Sequence, residues 1–307
     1  MKIYILDPFH AAGVEYAAKH FEVVCWDDPR VKDWTEDADA VMARMTPIRA
    51  ADIARAKKLR IISKQGVGYD TIDVAAAKAR GIVVCRTPGV NSDAVAEHAL
   101  ALGLAAGRRV AELDRRIRAG GRIARPDVLA VETEGKTVGV VGVGNIGSRV
   151  ARKWRAAFNA RVIGYDPYVE KLECEKVEKL EELLRASDLV TLHVPLTDET
   201  RRMIGAREIA QMKKSAVLVN TCRGGVVDEA ALYEAMKAGQ LFGAGLDVWD
   251  VEPPPQDHPL LSLPNVVATP HVAGNTFETQ ERSAVWVARQ AVDFLQGKPP
   301  APENQVA

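Results

Sequence analysis

The run Thr137-Val138-Gly139-Val140-Val141 passes directly into Gly142-Val143-Gly144-Asn145-Ile146-Gly147 and then into a helical stretch from Ser148 to Phe158. A strand that becomes a helix through glycines at these spacings has few structural solutions. The first glycine permits a tight turn, the second lets the backbone approach a pyrophosphate, and the third allows close helix-to-strand packing, with the helix N-terminus facing the anion. A second strand, Arg161-Val162-Ile163-Gly164-Tyr165, ends at Asp166, 19 positions after Gly147 (166 − 147). That is the spacing at which an acidic side chain meets the ribose hydroxyls of a dinucleotide. Pro167 and Tyr168 follow in place of Arg or Lys, and a carboxylate here repels a 2′-phosphate, so NAD is expected over NADP. The plainer reading of Asp166 is a cap on an ordinary strand-to-helix turn.

Short apolar strands alternate with helical segments twice along the chain, which implies parallel sheets. The first set places strands near 2–6, 22–25, 39–43, 60–62 and 82–84, with helices such as Ala11 to His20 and Ile72 to Arg80 between them. It has no glycine-rich phosphate turn. A long helical pattern from Asp93 to Arg118, with Asn91-Ser92 as its cap, leads to the second set. That set starts at Gly135 and runs to about Ala273. Thr276 to Leu295 then has apolar residues at helical spacing and is expected to return to the first lobe, ahead of a polar, Pro-rich tail. At 307 residues, two domains are the default.

Three polar residues each follow an apolar run in the last third. Ala216-Val217-Leu218-Val219 precedes Arg223, Gly243 to Trp249 precedes Glu252, and Asn265-Val266-Val267-Ala268-Thr269 precedes Pro270-His271. In an open parallel sheet, ligands bind outside the carboxyl ends of the strands. A guanidinium can hold a carboxylate bidentately, a histidine can exchange a proton near neutral pH, and a glutamate can hydrogen-bond the histidine's other nitrogen. Reduction of a 2-keto acid needs those three services. Any one of these residues alone reads more simply as structural; their order and shared placement carry the functional reading.

Charge balance removes other classes. Lys plus Arg and Asp plus Glu are 41 each, so nothing global attracts nucleic acid or an anionic membrane. No signal peptide or membrane span is legible. Cys25, Cys85, Cys174 and Cys222 are scattered without a CxxC pair, which reads as reduced thiols in a cytoplasmic protein with no metal site.

The chain resembles the D-2-hydroxyacid dehydrogenases. The resemblance rests on Gly66-Val67-Gly68-Tyr69-Asp70-Thr71-Ile72-Asp73, Asp93-Ala94-Val95-Ala96-Glu97-His98, the glycine fingerprint, Asn220-Thr221-Cys222-Arg223-Gly224-Gly225-Val226-Val227-Asp228-Glu229, Leu246-Asp247-Val248 with Glu252-Pro253, and Thr269-Pro270-His271. It implies an α/β architecture of two Rossmann-like, doubly wound parallel-sheet domains. A cofactor domain at 96–275 would be inserted into a flavodoxin-like substrate domain at 1–95 and 276–307. The active site would lie in the cleft between them, with hinges near Val95 and Gly274, and the cofactor domains would form a homodimer.

The resemblance also implies roles. Arg223 would clamp the substrate's carboxylate and keto oxygen, His271 would give or take the hydroxyl proton, and Glu252 would raise the histidine's pKa. Gly142, Gly144, Asn145, Ile146, Gly147 and Asp166 would bind NAD, joined by the His193-Val194-Pro195 loop, Thr200, Thr221, Cys222, Asp247, Ala273 and Gly274. Val67 and Gly68 would hold the substrate carboxylate through backbone N–H groups, beside Asn91. Arg44 and Lys64 match basic residues that hold the distal phosphate in 3-phosphoglycerate dehydrogenases, so a 2-hydroxy acid with a distal anion is expected. The plainer reading pairs Arg44 with a surface carboxylate and leaves Lys64 solvated.

Two departures stand out. Gly121 to Pro126 lacks the Trp and Phe common in relatives, and Cys222 fills a slot often held by Ala or Ser; a small buried residue beneath Arg223 is its simplest reading. The basic run Arg108-Arg109 to Arg125 reads as a solvated face or dimer contact. Other outcomes are a glyoxylate or hydroxypyruvate reductase, a phosphite dehydrogenase, or a non-catalytic NADH-sensing corepressor. Glu252 argues against formate oxidation, whose enzymes usually carry an amide there.

Overall fold

Strands form where β-branched and aliphatic residues run together, and helices where alanine-rich periodic segments follow them. The computed structural model describes residues 1–307, which divide into two units: Met1–Asn91 with Asn275–Ala307, and Ser92–Gly274. In the first unit, β1 (Lys2–Ile5), β2 (Glu22–Val24), β3 (Ala40–Ala43), β4 (Ile61–Lys64) and β5 (Val83–Cys85) are all parallel, in the order β2-β1-β3-β4-β5. That is the flavodoxin-like order. Helices α1 (Ala11–Ala18), α2 (Trp34–Asp37), α3 (Ala50–Arg55) and α4 (Val74–Ala79) connect the strands. Every residue of β3 and β4 is buried, because helices cover both faces of such a sheet, and this is why the strands read as continuous apolar runs.

In the second unit, α5 (Ser92–Gly107) and α6 (Val110–Arg118) precede β6 (Thr137–Val141), α7 (Asn145–Phe158), β7 (Arg161–Tyr165), β8 (Glu175–Lys176), α8 (Leu180–Ala186) and β9 (Leu189–Leu192). Then come α9 (Ala206–Ile209), β10 (Val217–Asn220), α10 (Glu229–Lys237), β11 (Gly243–Leu246) and β12 (Val266–Ala268). The strand order is β12-β11-β10-β9-β6-β7-β8. Counted within the unit, this is the doubly wound dinucleotide-binding order with a seventh strand, and it reverses between β6 and β9. Ligands bind at such a reversal, beyond the strands' carboxyl ends.

The last helix, α11 (Phe277–Leu295), belongs to the first unit, where it packs on α1, β3 and β4. Its Ala284, Val287, Ala288 and Ala291 share one core cluster with Ile3, Ile5, Met42 and Ile61. Burying each large aliphatic side chain of that set contributes roughly 1.5–3 kcal/mol. Thr276 caps α11 by accepting from the Thr279 N–H.

Three expectations need correction. The helical pattern from Asp93 to Arg118 is two helices, because Arg109 takes a left-handed conformation at φ 56°. Its guanidinium there closes a two-bond pair with the buried Glu112 carboxylate, at 2.8 and 2.7 Å. Neither Asn91 nor Ser92 supplies a cap: Asn91 Oδ1 and Ser92 Oγ are buried without a partner. Helix α7 begins at Asn145, three residues before Ser148, so the fingerprint's own N–H groups open it. Beyond α11, the Val306 N–H donates to the Val84 carbonyl and the Ala307 carbonyl accepts from the Val84 N–H, laying the tail along β5. Proline delays that pairing until residue 304 without preventing it.

Candidate active site

The three glycines of the fingerprint do three different things. Gly142 has φ 84°, and a Cβ there would meet the His193 carbonyl oxygen at 2.6 Å. A Cβ on Gly147 would lie 2.0 Å from the Gly142 carbonyl oxygen, so the first turn of α7 sits directly on the loop. At Gly144, the residue that opens α7, a Cβ would meet nothing within 4 Å. Open space over the N-terminus of a helix is where an anion approaches backbone N–H groups. Asn145 and Ile146 form the first turn. Asp166 accepts from Val143 N–H at 2.9 Å and from Tyr168 N–H at 3.0 Å. It therefore caps the turn, and being tied to the glycine loop it is held beside the groove.

Across the reversal, His193 follows β9. Burial alone pushes its pKa down to about 3, so the ring is neutral; one nitrogen meets Thr191 Oγ1 at 2.8 Å. The other, Nδ1, is buried without a partner, as is Thr221 Oγ1. Thr200 shapes the loop beyond Val194 and Pro195, its hydroxyl donating to the Pro195 carbonyl at 2.6 Å. An open glycine cradle, an anchored aspartate and two orphaned polar atoms at the carboxyl edge fit a bound dinucleotide.

Strands β10, β11 and β12 are neighbours, so the segments after them emerge side by side. They carry Arg223, Glu252 and His271. His271 Nδ1 lies 2.7 Å from Glu252 Oε2, leaving Nε2 for other work. The side chains are 43% and 34% exposed, accessible to a small molecule. Burial would raise the Glu252 carboxyl, but the His271 hydrogen bond and charge, the Trp249 N–H and the Arg223 charge outweigh it and hold it below the usual carboxylate range. Arg223 donates to the Cys222 carbonyl at 2.6 Å, and Asn220 fixes the bend by donating to the Arg223 carbonyl at 2.9 Å. The Cys222 thiol is buried and pushed up to about 11, chiefly by that burial. It donates to Asn220 Oδ1 at 3.0 Å.

His271 sits at φ 56°, a conformation disfavoured for a side chain with a Cβ. Asp247, fully buried, over-determines it. Its carboxylate accepts from Val272 N–H and Ala273 N–H at 2.9 Å each and from Thr269 Oγ1 at 2.6 Å, while its carbonyl accepts from His271 N–H at 2.6 Å. His98 on α5 completes the set, 3.0 Å from Thr269 Oγ1 and 3.4 Å from Asp247 Oδ1. Burial would raise Asp247; His98, Thr269 and the two N–H groups more than reverse it. Gly274 follows this loop and ends the unit. Sequence reading gave His98 no role: its partner Thr269 is 171 positions away, and no local spacing links them.

In the first unit, the order reverses between β1 and β3, and Asp7 and Arg44 follow those two strands. Asp7 accepts from the backbone N–H groups of Arg44 and Thr46. The Arg44 guanidinium donates to the Asn275 amide oxygen at 3.2 Å rather than to a carboxylate. Lys64 is buried, not solvated, and its ammonium donates to the Arg44 and Gln65 carbonyls. Both simple expectations for this pair are thereby corrected. After β4, the N–H groups of Val67 and Gly68 donate to no backbone carbonyl. Asn91 ends the unit's first segment with its Oδ1 buried and unpartnered.

The family model for the NAD binding domain of D-isomer specific 2-hydroxyacid dehydrogenases matches residues 100–273. A glyoxylate reductase of Korarchaeum cryptofilum is 43% identical over 99% of this chain and 96% of its own length. A D-3-phosphoglycerate dehydrogenase of Archaeoglobus fulgidus is 41% identical over 97% of this chain, which spans only 58% of that longer protein. The crystal structure of the TT0316 protein from Thermus thermophilus superposes with a TM-score of 0.92 at 38% identity, covering 100% of both chains. With the fold, the glycine cradle and these matches in agreement, the chain belongs to the D-isomer specific 2-hydroxyacid dehydrogenase family, enzymes that use NAD to act on the CH–OH group of a 2-hydroxy acid.

Proposed function

We propose that Arg223, Glu252 and His271 interconvert a 2-hydroxy acid and its 2-keto acid. The observation that carries this reading is the 2.7 Å contact between His271 and Glu252, with Arg223 on the adjacent strand end. When bound, the reduced nicotinamide supplies the hydride that reaches the keto carbon. Arg223 holds the substrate's carboxylate and keto oxygen. His271 donates its Nε2 proton to that oxygen as negative charge develops there, and Glu252 stabilises the imidazolium through Nδ1–H. Val67 and Gly68 offer their N–H groups to the carboxylate. Gly142 to Gly147 and Asp166 would hold NAD, with Asp247, Ala273 and Gly274 contributing to its site.

The substrate carries a distal anion, such as phosphate or sulfonate, met by Arg44. Support comes from the Arg44 guanidinium, whose partner is a neutral amide and which follows a strand at the sheet's reversal. Lys64 acts indirectly here, gathering the Arg44 and Gln65 carbonyls. A charge-assisted contact contributes roughly 1.5–3 kcal/mol, so Arg44→Ala should cost about 10- to 150-fold in kcat/KM on phosphohydroxypyruvate and little on glyoxylate. Equal losses on both, or none on either, would instead favour a glyoxylate or hydroxypyruvate reductase. The buried position of Lys64 favours that second reading, since it leaves one cation where two were expected.

The chain pairs with a second copy through its cofactor unit, where Val110 and Ile117 of α6 and the nearby Leu129 are exposed. Its four free thiols support a cytoplasmic setting.

A further inference from the structure

A third histidine–carboxylate pair, His258 with Glu229, lies in the same unit apart from the proton-transfer pair. Glu229 is the first residue of α10, six positions after Arg223 (229 − 223). One of its oxygens accepts from the Asp250 N–H at 2.8 Å, and the other meets His258 Nε2 at 3.1 Å. Both side chains are largely buried, at 15% and 14% exposure. Glu229 therefore grips the segment 250–258 at its two ends. Between those grips lie Val251, Glu252 and Pro253, all exposed.

Trp249 connects this staple to the proton-transfer pair. Its indole packs edge-on against His258, with ring centroids 5.3 Å apart. The same indole N–H donates to the Thr269 carbonyl at 3.0 Å, two residues before His271. Its backbone N–H donates to Glu252 Oε1 at 3.1 Å. Gly224, next to Arg223, presses on the same place: a Cβ there would lie 2.0 Å from the Trp249 carbonyl carbon and 2.4 Å from Asp250 N. The segment 223–229 thus carries Arg223, an unusually close backbone contact, and the staple that holds the Glu252 loop.

We propose that Glu229 and His258 are positioning residues that keep Glu252 in register with His271 and Arg223. The inference rests on Glu252 and His271 being the proton-transfer pair. His271 pairs with Glu252, whose carboxylate also feels the Arg223 charge; His258 pairs with Glu229 and carries Trp249 on its ring. Releasing the staple lets the exposed Glu252 loop drift, and a misplacement of about 1 Å at a reacting group can cost on the order of 100-fold in rate.

The test compares Glu229→Ala, Glu229→Gln and Glu252→Gln with the wild type. Glu229→Ala should lower kcat for keto-acid reduction about 100-fold, leave NADH affinity unchanged, and move the pH profile of kcat toward that of Glu252→Gln. Glu229→Gln should lose much less than Glu229→Ala, because its amide oxygen can accept from Asp250 N–H and its amide nitrogen can donate to His258 Nε2 once that ring carries its proton on Nδ1. Wild-type kcat and a wild-type pH profile in Glu229→Ala overturn the proposal, as does equal damage in Glu229→Ala and Glu229→Gln. His271→Ala, run alongside, separates the two levels. If it abolishes turnover while Glu229→Ala behaves as wild type, only the positioning role falls; if it has no effect, the assignment of the pair itself falls.

Discussion

Two alanine substitutions one helical turn apart should fail in opposite ways. At Gly144, which has φ −78° and an open Cβ direction, alanine fits the backbone and touches nothing. Stability should change by less than about 0.5 kcal/mol, the usual range for a site free of such contacts. The methyl group would, however, occupy the space through which a pyrophosphate reaches the N–H groups of α7. Losing one charge-assisted hydrogen bond costs about 1.5–3 kcal/mol, so NADH affinity should fall roughly 10- to 150-fold. At Gly147 the added carbon would lie 2.0 Å from the Gly142 carbonyl oxygen and 3.0 Å from its carbon, with Val140 Cγ1 at 3.1 Å. The first two atoms are backbone and cannot swing aside. Overpacking of this kind costs about 1–3 kcal/mol, or roughly 2–12 °C in Tm for a domain of this size. Thermal melts and NADH fluorescence titrations on both variants decide the matter. A Gly144→Ala protein that binds NADH like the wild type, or that melts as early as Gly147→Ala, would refute the division of labour among the glycines.

Asp166→Ala combined with Tyr168→Arg should lose NADH affinity and gain NADPH affinity; a wild type that already prefers NADPH would contradict the ribose assignment. His193 gives a pH signature. Its pKa is held at about 3 in the fold but lies near ~6.5 in the unfolded chain. The unfolded state therefore binds the extra proton between those values, and stability drops as pH falls below the unfolded value. Urea melts of wild type and His193→Gln should diverge by about 2 kcal/mol between pH 6.5 and pH 5, with the variant less acid-sensitive. Parallel curves would show that the ring is not buried neutral.

Legibility in the sequence followed the distance over which each constraint acts. The glycine fingerprint and Asp166 are set by a strand, a turn and a helix within thirty residues, and each step leaves a mark on residue type. Arg223, Glu252 and His271 could be picked out because each follows an apolar run, and the parallel order of β10, β11 and β12 brings those ends together. Their supports could not. His98, Glu229 and His258 are ordinary polar residues until the fold puts Thr269, Asp250 and Trp249 beside them. The break between α5 and α6 was hidden for a related reason: helix propensity runs on through Arg108 and Arg109, and the ion pair with Glu112 accompanies a turn that propensity does not mark. Lys64 shows the converse limit, since a lysine at a strand end reads as a free cation and only its burial shows that carbonyls absorb its charge.

The central claim is that His271, paired with Glu252, moves the proton that accompanies hydride transfer. It is tested most directly by following NADH oxidation with glyoxylate, hydroxypyruvate and phosphohydroxypyruvate in wild type and His271→Ala, after NADH titration has shown that both bind the cofactor equally. Turnover should fall by roughly 10²–10⁴-fold, the usual contribution of a positioned general acid, with NADH affinity intact. Undiminished turnover in His271→Ala on a keto acid that the wild type reduces would contradict the account.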